Sequence, residues 1–222
     1  MSLILIQERT INTVLKNVKS TMKRLKHLLI VCFLLIILKE SKSQTAFKTR
    51  LSDSTLTLTK QSVIYDPSYF RLDYPNGDVP SDRGVCTDVV IRAYRKVGID
   101  LQQLVHEDMK SNFEKYPKNW GLSQPDKNID HRRVPNLMTY FSRFGKVLPI
   151  SQNGSDYKPG EIVCWKLGGG ITHIGLVVNK KSADKKRYLI VHNIGSGQVV
   201  ADCLFDFKIT GHYEFTGGAK FQ

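Results

Sequence analysis

The chain has 222 residues, of which 41% are hydrophobic and 24% are charged, and its formal net charge is +13 at pH 7. The basic side chains form no continuous stripe apart from a short cluster over 180–187, so the composition does not favour nucleic-acid binding. We find no internal repeat and no low-complexity segment, and the length suits one domain with a sizeable core.

The N-terminal segment has the pattern of a targeting sequence. A basic stretch precedes an unbroken run of 11 apolar residues over 28–38, and small residues with a cleavage site follow it up to position 43. This pattern predicts a secretory signal peptide over 22–43, with 1–21 as an upstream mis-start of translation. A membrane anchor is the alternative, but the apolar run is short for a span and charged residues follow it. We therefore expect a mature domain over 44–222 in the periplasm or outside the cell.

Removal of residues 1–43 changes the charge and cysteine counts on which a functional assignment rests. The segment carries eight basic and two acidic side chains, so the formal net charge falls from +13 to +7. Mild basicity suits an anionic polymer such as cell wall. Three cysteines remain, Cys86, Cys164 and Cys203, and an odd number in an exported protein leaves at least one thiol free. A Cys164–Cys203 disulfide is an alternative without independent support.

The mature chain changes from a helical to a strand pattern along its length. Apolar periodicity and capping residues predict helices over 46–60, 85–97, 101–115 and 135–145. Short apolar runs between turn residues predict strands over 161–167, 173–180, 188–193, 199–203 and 211–215. Helices followed by a meander indicate an α+β fold whose helices pack on an antiparallel sheet. Irregular stretches over 63–84 and 117–134 are long enough to suggest a functional role.

Cys86 is predicted in the first turn of the helix over 85–97. A thiol at a helix N-terminus lies near the positive end of the helix dipole, which favours the thiolate and predicts a lowered pKa. The backbone N–H groups of that first turn have no intrahelical partner, so they are able to bind an oxyanion. The position therefore has two properties that a cysteine nucleophile needs.

His173 opens a later strand and is the candidate base for Cys86. A nucleophilic cysteine needs an imidazole to exchange its proton and a third group to orient the imidazole. The third group is predicted on the following strand, where His192 and Asn193 point to opposite faces. Because a shift of one residue exchanges the two, the residues alone leave this choice open.

A single cysteine or a single histidine in these positions is more often structural than catalytic. The combination of Cys86, His173 and a polar partner on the next strand, in an exported chain with a free thiol, favours catalysis. A cell-wall-binding module with a silent Cys86 is one rival. A zinc hydrolase is another, but no metal-ligand spacing supports it, and we expect neither a metal nor a cofactor. His106 is predicted to be a surface or structural residue, and His212 is predicted to be structural.

Several motifs resemble an exported bacterial domain-of-unknown-function family that is related to the NlpC-type, papain-like cysteine hydrolases of the cell wall. They are Asp82-Arg83-Gly84-Val85-Cys86-Thr87-Asp88, Val105-His106-Glu107-Asp108-Met109, Asn128-Ile129-Asp130-His131-Arg132-Arg133-Val134-Pro135-Asn136, His173-Ile174-Gly175 and Val191-His192-Asn193-Ile194-Gly195. The similarity covers about residues 46–215. It implies a papain-like α+β fold with Cys86 as nucleophile, His173 as base and His192 as the third residue. Many of the related hydrolases have Asp-Cys-Ser-Gly around the nucleophile, and this chain departs from that pattern.

The expected function is hydrolysis of peptide or amide bonds, with peptidoglycan stem peptides as the substrate, by a monomeric enzyme. An acyltransferase, in which an amine replaces water, is a close alternative. We assign substrate contacts to Tyr65 in the first irregular stretch, to Asp82 and Asp88 beside the nucleophile, and to His131 and Arg132 in the second stretch. Arginine binds carboxylates well, although a solvated loop is an equal alternative for the last two.

Overall fold

The computed structural model describes residues 42–217. Before that segment it describes six single positions: 22, 26, 30, 33, 35 and 39. The predicted mis-start over 1–21 lies outside the described residues, as does most of the predicted signal peptide. The chain divides into two compact units, Met1–Thr45 and Ala46–Gln222, and from residue 46 onward the elements described below belong to the second unit. Within the described part of the chain, no helix is both long enough and apolar enough to cross a bilayer.

Four α-helices occupy the first half of the folded unit. They are α1 over 42–58, α2 at Cys86–Lys96, α3 at Leu101–Asn112 and α4 at Val134–Phe144. The Asp100 side chain accepts a hydrogen bond from the backbone N–H of Gln102 at 3.0 Å, which caps α3. Pro135 lies in the first turn of α4, where a missing N–H costs nothing. The predicted end of α3 differs because a 3-10 turn, Phe113–Lys115, replaces the last helical turn.

Between residues 42 and 217, eight strands form two sheets. The strands are β1 Ile64–Tyr65, β2 Arg83–Gly84, β3 Lys146–Val147, β4 Ile162–Lys166, β5 Thr172–Lys181, β6 Tyr188–His192, β7 Val199–Ala201 and β8 Lys208–Glu214. The first two pair in parallel, and the other six form an antiparallel sheet in the order β3-β8-β4-β5-β6-β7. Helices followed by an antiparallel sheet confirm the predicted α+β class. The pairing of β8 with β4 departs from a simple meander.

The sheet has a buried cluster on each face. Strand residues alternate between the faces, so neighbours in sequence belong to different clusters. Cys164 and Ile174 pack with the helices, together with Cys86, Val90 and Tyr94 of α2. The second cluster lies on the other side and contains Trp165, Val177, Ile190, Cys203, Leu204 and Ile209. The start of α2 therefore packs directly against the middle of the sheet.

The two irregular stretches of the sequence pack on each other. The backbone N–H of Leu72 donates to the Asn128 side chain at 2.9 Å, and the Tyr69 hydroxyl donates to Asp126 at 3.0 Å. The Gln102 side chain of α3 binds the first stretch, because its oxygen accepts from the N–H of Gly77 at 2.8 Å. These contacts order the parts of both stretches that lie outside regular secondary structure.

Candidate active site

Cys86 is the first residue of α2, and the chain that leads to it is held by Asp88. The backbone N–H of Val85 donates to the Asp88 carboxylate at 2.7 Å, which satisfies a group that the helix leaves free. Gly84 has a φ of 155°, and a Cβ at that position would lie 3.2 Å from the same carboxylate oxygen. The Asp88 side chain therefore holds the backbone before the nucleophile, and it can approach this closely because Gly84 has no side chain.

Asp88 forms a buried ion pair with Arg132. The guanidinium Nε donates to Asp88 Oδ1 at 3.0 Å and Nη2 donates to Oδ2 at 3.1 Å. The remaining donors reach the backbone carbonyls of Ser68 at 2.9 Å and Asp66 at 3.3 Å. The Thr87 hydroxyl also donates to the Arg132 carbonyl at 3.1 Å. Arg132 thus joins the start of α2 to both irregular stretches.

The Cys86 thiol is buried, with 7% of the residue exposed. Burial raises the pKa of the thiol to about 12, whereas the backbone N–H groups of Ile174, Thr87 and Cys86 itself act in the opposite direction. The expectation of a lowered pKa is therefore wrong for this structure. The helix start does favour the thiolate, but the loss of water around the sulfur outweighs that effect.

His173 and His192 contact each other directly. His173 Nε2 and His192 Nδ1 are 2.9 Å apart, and the rings meet edge to face. Asn193 points elsewhere, because its amide donates to the Gly84 carbonyl at 3.1 Å. Burial and then the charge of His192 lower the pKa of His173 to about 4. Of the two side chains between which the sequence left the choice open, His192 and not Asn193 contacts His173.

Gly175 leaves room for this histidine pair. Leu176 of β5 pairs with Val191 of β6, which places Gly175 beside His192. A Cβ at Gly175 would lie 2.7 Å from the Ile190 side chain and 3.2 Å from the Cβ of His192. Contacts this short require the neighbouring strand to move. The absence of a side chain at this position therefore supports the close approach of the two strands.

The nucleophile candidate lies beside the backbone of β5, one residue after His173. The backbone N–H of Ile174, the residue after His173, interacts with the Cys86 thiol. Tyr65 lies on the same side of the domain, because it pairs with Gly84 between β1 and β2. Tyr65 is 41% exposed, and burial followed by the charges of Cys86 and Asp88 raises the pKa of its hydroxyl. Tyr65 is therefore a solvent-facing side chain within electrostatic range of the thiol.

The residues predicted to contact substrate divide into two groups. Tyr65 and Asp82 are exposed, whereas Asp88, His131 and Arg132 are buried. Asp88 and Arg132 satisfy each other and do not face solvent. His131 is 2% exposed, and burial lowers the pKa of its imidazole to about 3. The solvated-loop alternative is wrong for His131 and Arg132, because their 3-10 turn, Asp130–Arg132, is buried.

Trp165 packs against His173 and belongs to none of the motifs recognised in the sequence. Its ring lies 5.8 Å from the His173 ring, and its indole N–H donates to the Leu204 carbonyl at 2.9 Å. Trp165 pairs with His173 across the hairpin of β4 and β5. The short connection between these strands was the available signal, because it fixes which residues face each other.

The three cysteines of the folded unit are free thiols, so the structure contains no Cys164–Cys203 disulfide. Burial raises the pKa of Cys203 to about 12, and it also raises the pKa of Cys164 well above its usual range. Cys164 is buried within β4, as predicted, whereas Cys203 follows β7 rather than ending a strand. Over 42–217, no three His, Cys, Asp or Glu side chains are grouped so that they could hold a metal ion.

Comparison with known proteins identifies relatives for most of the chain. The profile of the family described as "Domain of unknown function (DUF1287)" matches residues 52–215. A protein of Escherichia coli (strain K12) named "Uncharacterized protein YijF" is 51% identical over 165 residues, which cover 74% of this chain and 80% of that protein. A crystal structure of an N-acetylmuramoyl-L-alanine amidase from Bacteroides uniformis ATCC 8492 aligns with a TM-score of 0.43 and 15% identity, covering 76% of this chain and 97% of the other. A structural likeness at this level does not bear on activity.

Proposed function

This chain belongs to the DUF1287 family, and from that premise we propose that it is an exported cysteine hydrolase of peptide or amide bonds in peptidoglycan. One observation carries the proposal. The thiol at the start of α2 meets the backbone of β5 at Ile174, next to a histidine whose ring is held by a second histidine 2.9 Å away. A nucleophile, a base and an orienting group are the parts of a cysteine hydrolase.

The order of these parts along the chain supports a papain-like fold of the NlpC type. The nucleophile opens a helix, and the two histidines follow on neighbouring antiparallel strands. The basic character of the mature chain suits an anionic wall polymer. The signal-peptide pattern over 22–43 supports a location in the periplasm or outside the cell.

The proposed reaction begins with a neutral thiol and a neutral imidazole. As Cys86 Sγ bonds to the substrate carbonyl carbon, His173 takes the thiol proton, and the carbonyl oxygen becomes an oxyanion near the N–H of Cys86. The carbon–nitrogen bond then breaks, and His173 donates its proton to the leaving amine. Water attacks the thioester while His173 takes a proton from it. The acid product leaves as Cys86 recovers its proton.

The histidine pair supports the charged intermediate of this reaction. His173 carries a positive charge between the two proton transfers, and its Nε2–H then donates to His192 Nδ1. Asp88 and Arg132, which are buried and bonded to each other, are assigned to hold the start of α2 in place. Exposed Tyr65 and Asp82 remain the candidates for contact with substrate.

The proposal predicts an unusually low acidic limit of activity. His173 acts as a base only when neutral, and its pKa lies at about 4 rather than at the ordinary 6.5. We therefore expect kcat/KM to fall only as the pH drops through about 4, because protonation then removes the base. A pH profile with folding monitored by circular dichroism measures this limit. An acidic limit near 6.5 would instead indicate a histidine with an ordinary pKa and would contradict the lowered pKa of His173.

Digestion of purified murein tests the proposed activity. The mature protein is expected to release peptide or amide fragments that mass analysis identifies, and Cys86→Ala is expected to release none. Cys203→Ala is the matched control, because it removes another thiol that is buried to a similar degree. Transfer of an added amine to the acyl group would indicate the acyltransferase. Binding of murein without any product, in the presence of an intact fold, would favour the binding module and refute hydrolysis.

A further inference from the structure

A groove beside the second buried cluster of the sheet has no role in the reaction proposed above. The segment over 150–152 forms one wall, and the turn over 205–209 forms the other. The cavity has a volume of about 520 Å³, which lies within the usual range of about 300–1,000 Å³ for ligand sites. The groove is therefore large enough for a ligand, and its residues are not yet assigned to any function.

Both walls of the groove are held by the buried side chain of Tyr157. Its hydroxyl donates to the Ser151 carbonyl at 2.9 Å and accepts from the Ser151 N–H at 3.2 Å. Its ring meets the Phe205 ring edge to face, with 5.9 Å between the ring centroids. The same ring stacks on His212, whose Nδ1 lies 2.9 Å from the Pro149 carbonyl oxygen. The groove is therefore preformed, and a ligand does not have to order it.

The groove combines an exposed apolar surface with polar side chains. Phe205 and Phe207 are 36% and 38% exposed, and Ile150 is 49% exposed. Three exposed polar side chains line the same groove: Gln152, Asp206 and Lys208. Within residues 42–217 none of these three side chains makes a hydrogen bond or an ion pair. Their polar atoms are therefore available to a ligand that rests on the apolar surface.

A saccharide has the chemistry that complements this surface. One face of a sugar ring consists of C–H groups, whose slight positive charge suits the electron-rich face of an aromatic ring. The rim of the sugar carries hydroxyl groups, each of which both donates and accepts hydrogen bonds. Lys208 donates, Asp206 accepts and Gln152 does both. The groove therefore offers an aromatic surface for the ring and partners of both kinds for its hydroxyl groups.

The groove lies two strands away from His173. Trp165 of β4 pairs with His173 of β5 on one side and with Ile209 of β8, which lines the groove, on the other. Paired residues point to the same face and neighbouring strands lie about 4.8 Å apart, so Ile209 lies about 10 Å from His173. The Trp165 indole also donates to the Leu204 carbonyl at 2.9 Å, which holds the start of the turn. About three extended peptide residues span such a distance.

We propose that this groove binds a saccharide of the glycan strand, while the peptide attached to that saccharide reaches the candidate active site. Phe205 and Phe207 stack on the sugar ring, and the polar side chains of the groove bind its hydroxyl groups. The choice of the glycan strand as ligand rests on the proposed function, because peptidoglycan is a polymer in which peptides are attached to sugars. The inference names the part of the substrate that the protein recognises away from the reacting bond.

Binding of a sugar that carries no peptide tests the inference separately from catalysis. The probe is chitotetraose, a soluble oligosaccharide of N-acetylglucosamine, and isothermal titration calorimetry measures its affinity for the mature protein. We expect saturable binding, which Phe207→Ala weakens by about tenfold because it removes one stacking surface. Phe207→Tyr keeps the aromatic face and is expected to bind as the unmodified protein does. Leu122→Ala is the matched control, because Leu122 is an apolar side chain that is 37% exposed and lies outside the groove.

The inference is wrong if the folded protein does not bind chitotetraose, or if Phe207→Ala binds it as tightly as the unmodified protein. It is also wrong if Phe207→Ala loses affinity for a sugar-free stem peptide but not for chitotetraose, since the groove then holds peptide. Circular dichroism checks the folding of each variant. Binding of chitotetraose by a protein that does not cut murein would refute the proposed function and leave the saccharide site intact. Cutting of murein without binding of chitotetraose would refute this inference alone.

Discussion

His173→Ala is expected to lower the rate of murein hydrolysis by about a thousandfold or more, whereas His192→Ala leaves measurable activity. His173 exchanges protons with Cys86 and the leaving amine, and a positioned acid–base group contributes factors of this size. His192 contributes one hydrogen bond to His173. A net value of about 1.4 kcal/mol for that bond corresponds to a loss of about tenfold. Initial rates on purified murein, with circular dichroism as a check on folding, give both numbers.

Asn193→Ala is the matched comparison for the histidine variants. Asn193 adjoins His192 on the chain but bonds to the Gly84 carbonyl rather than to His173. We expect the Asn193→Ala variant to hydrolyse murein faster than the His192→Ala variant. A greater loss for Asn193→Ala in a folded protein would show that Asn193 and not His192 supports the base. Equal rates for His173→Ala and the unmodified protein would show that His173 takes no part in the reaction.

Arg132→Ala is expected to lower the free energy of unfolding by about 3–5 kcal/mol, because it leaves the Asp88 carboxylate buried without its partner. Both side chains are almost completely inaccessible to solvent, and the guanidinium also binds two backbone carbonyls. Urea unfolding monitored by circular dichroism measures the change. Activity is expected to fall as well, since Asp88 holds the N–H of Val85 next to the nucleophile.

Arg187→Ala provides the control for this loss of stability. Arg187 also donates two hydrogen bonds to one carboxylate, that of Asp202, but this pair lies at the surface. An exposed pair of this kind is worth about 1 kcal/mol or less. If Arg132→Ala lowers the free energy of unfolding no more than Arg187→Ala does, the structural role of the buried pair is contradicted. Arg132→Lys keeps the positive charge but cannot donate two parallel hydrogen bonds to the carboxylate. Its loss of unfolding free energy is expected to lie between those of Arg187→Ala and Arg132→Ala.

The local architecture of this protein was predictable from its sequence. Helix α2 follows from apolar spacing and from the glycine after its end, and the strands follow from short apolar runs between turn residues. The α+β class follows from the order of these elements along the chain. Cys86 and His173 lie where the chain starts a helix and a strand, and His192 lies where a strand ends, and short-range patterns specify such boundaries well. Each of these features depends on neighbours only a few residues away.

The tertiary structure decided everything that depends on contacts between distant segments. β8 pairs with β4 rather than with β7. Arg132 is bonded to Asp88 rather than facing a ligand, because the second irregular stretch packs against α2. The pKa of Cys86 rises rather than falls, because the thiol is enclosed by the sheet. Periodicity in a sequence indicates which side of a helix or strand is apolar. Strand pairing and the burial of side chains from solvent depend instead on contacts between segments that are far apart in the sequence.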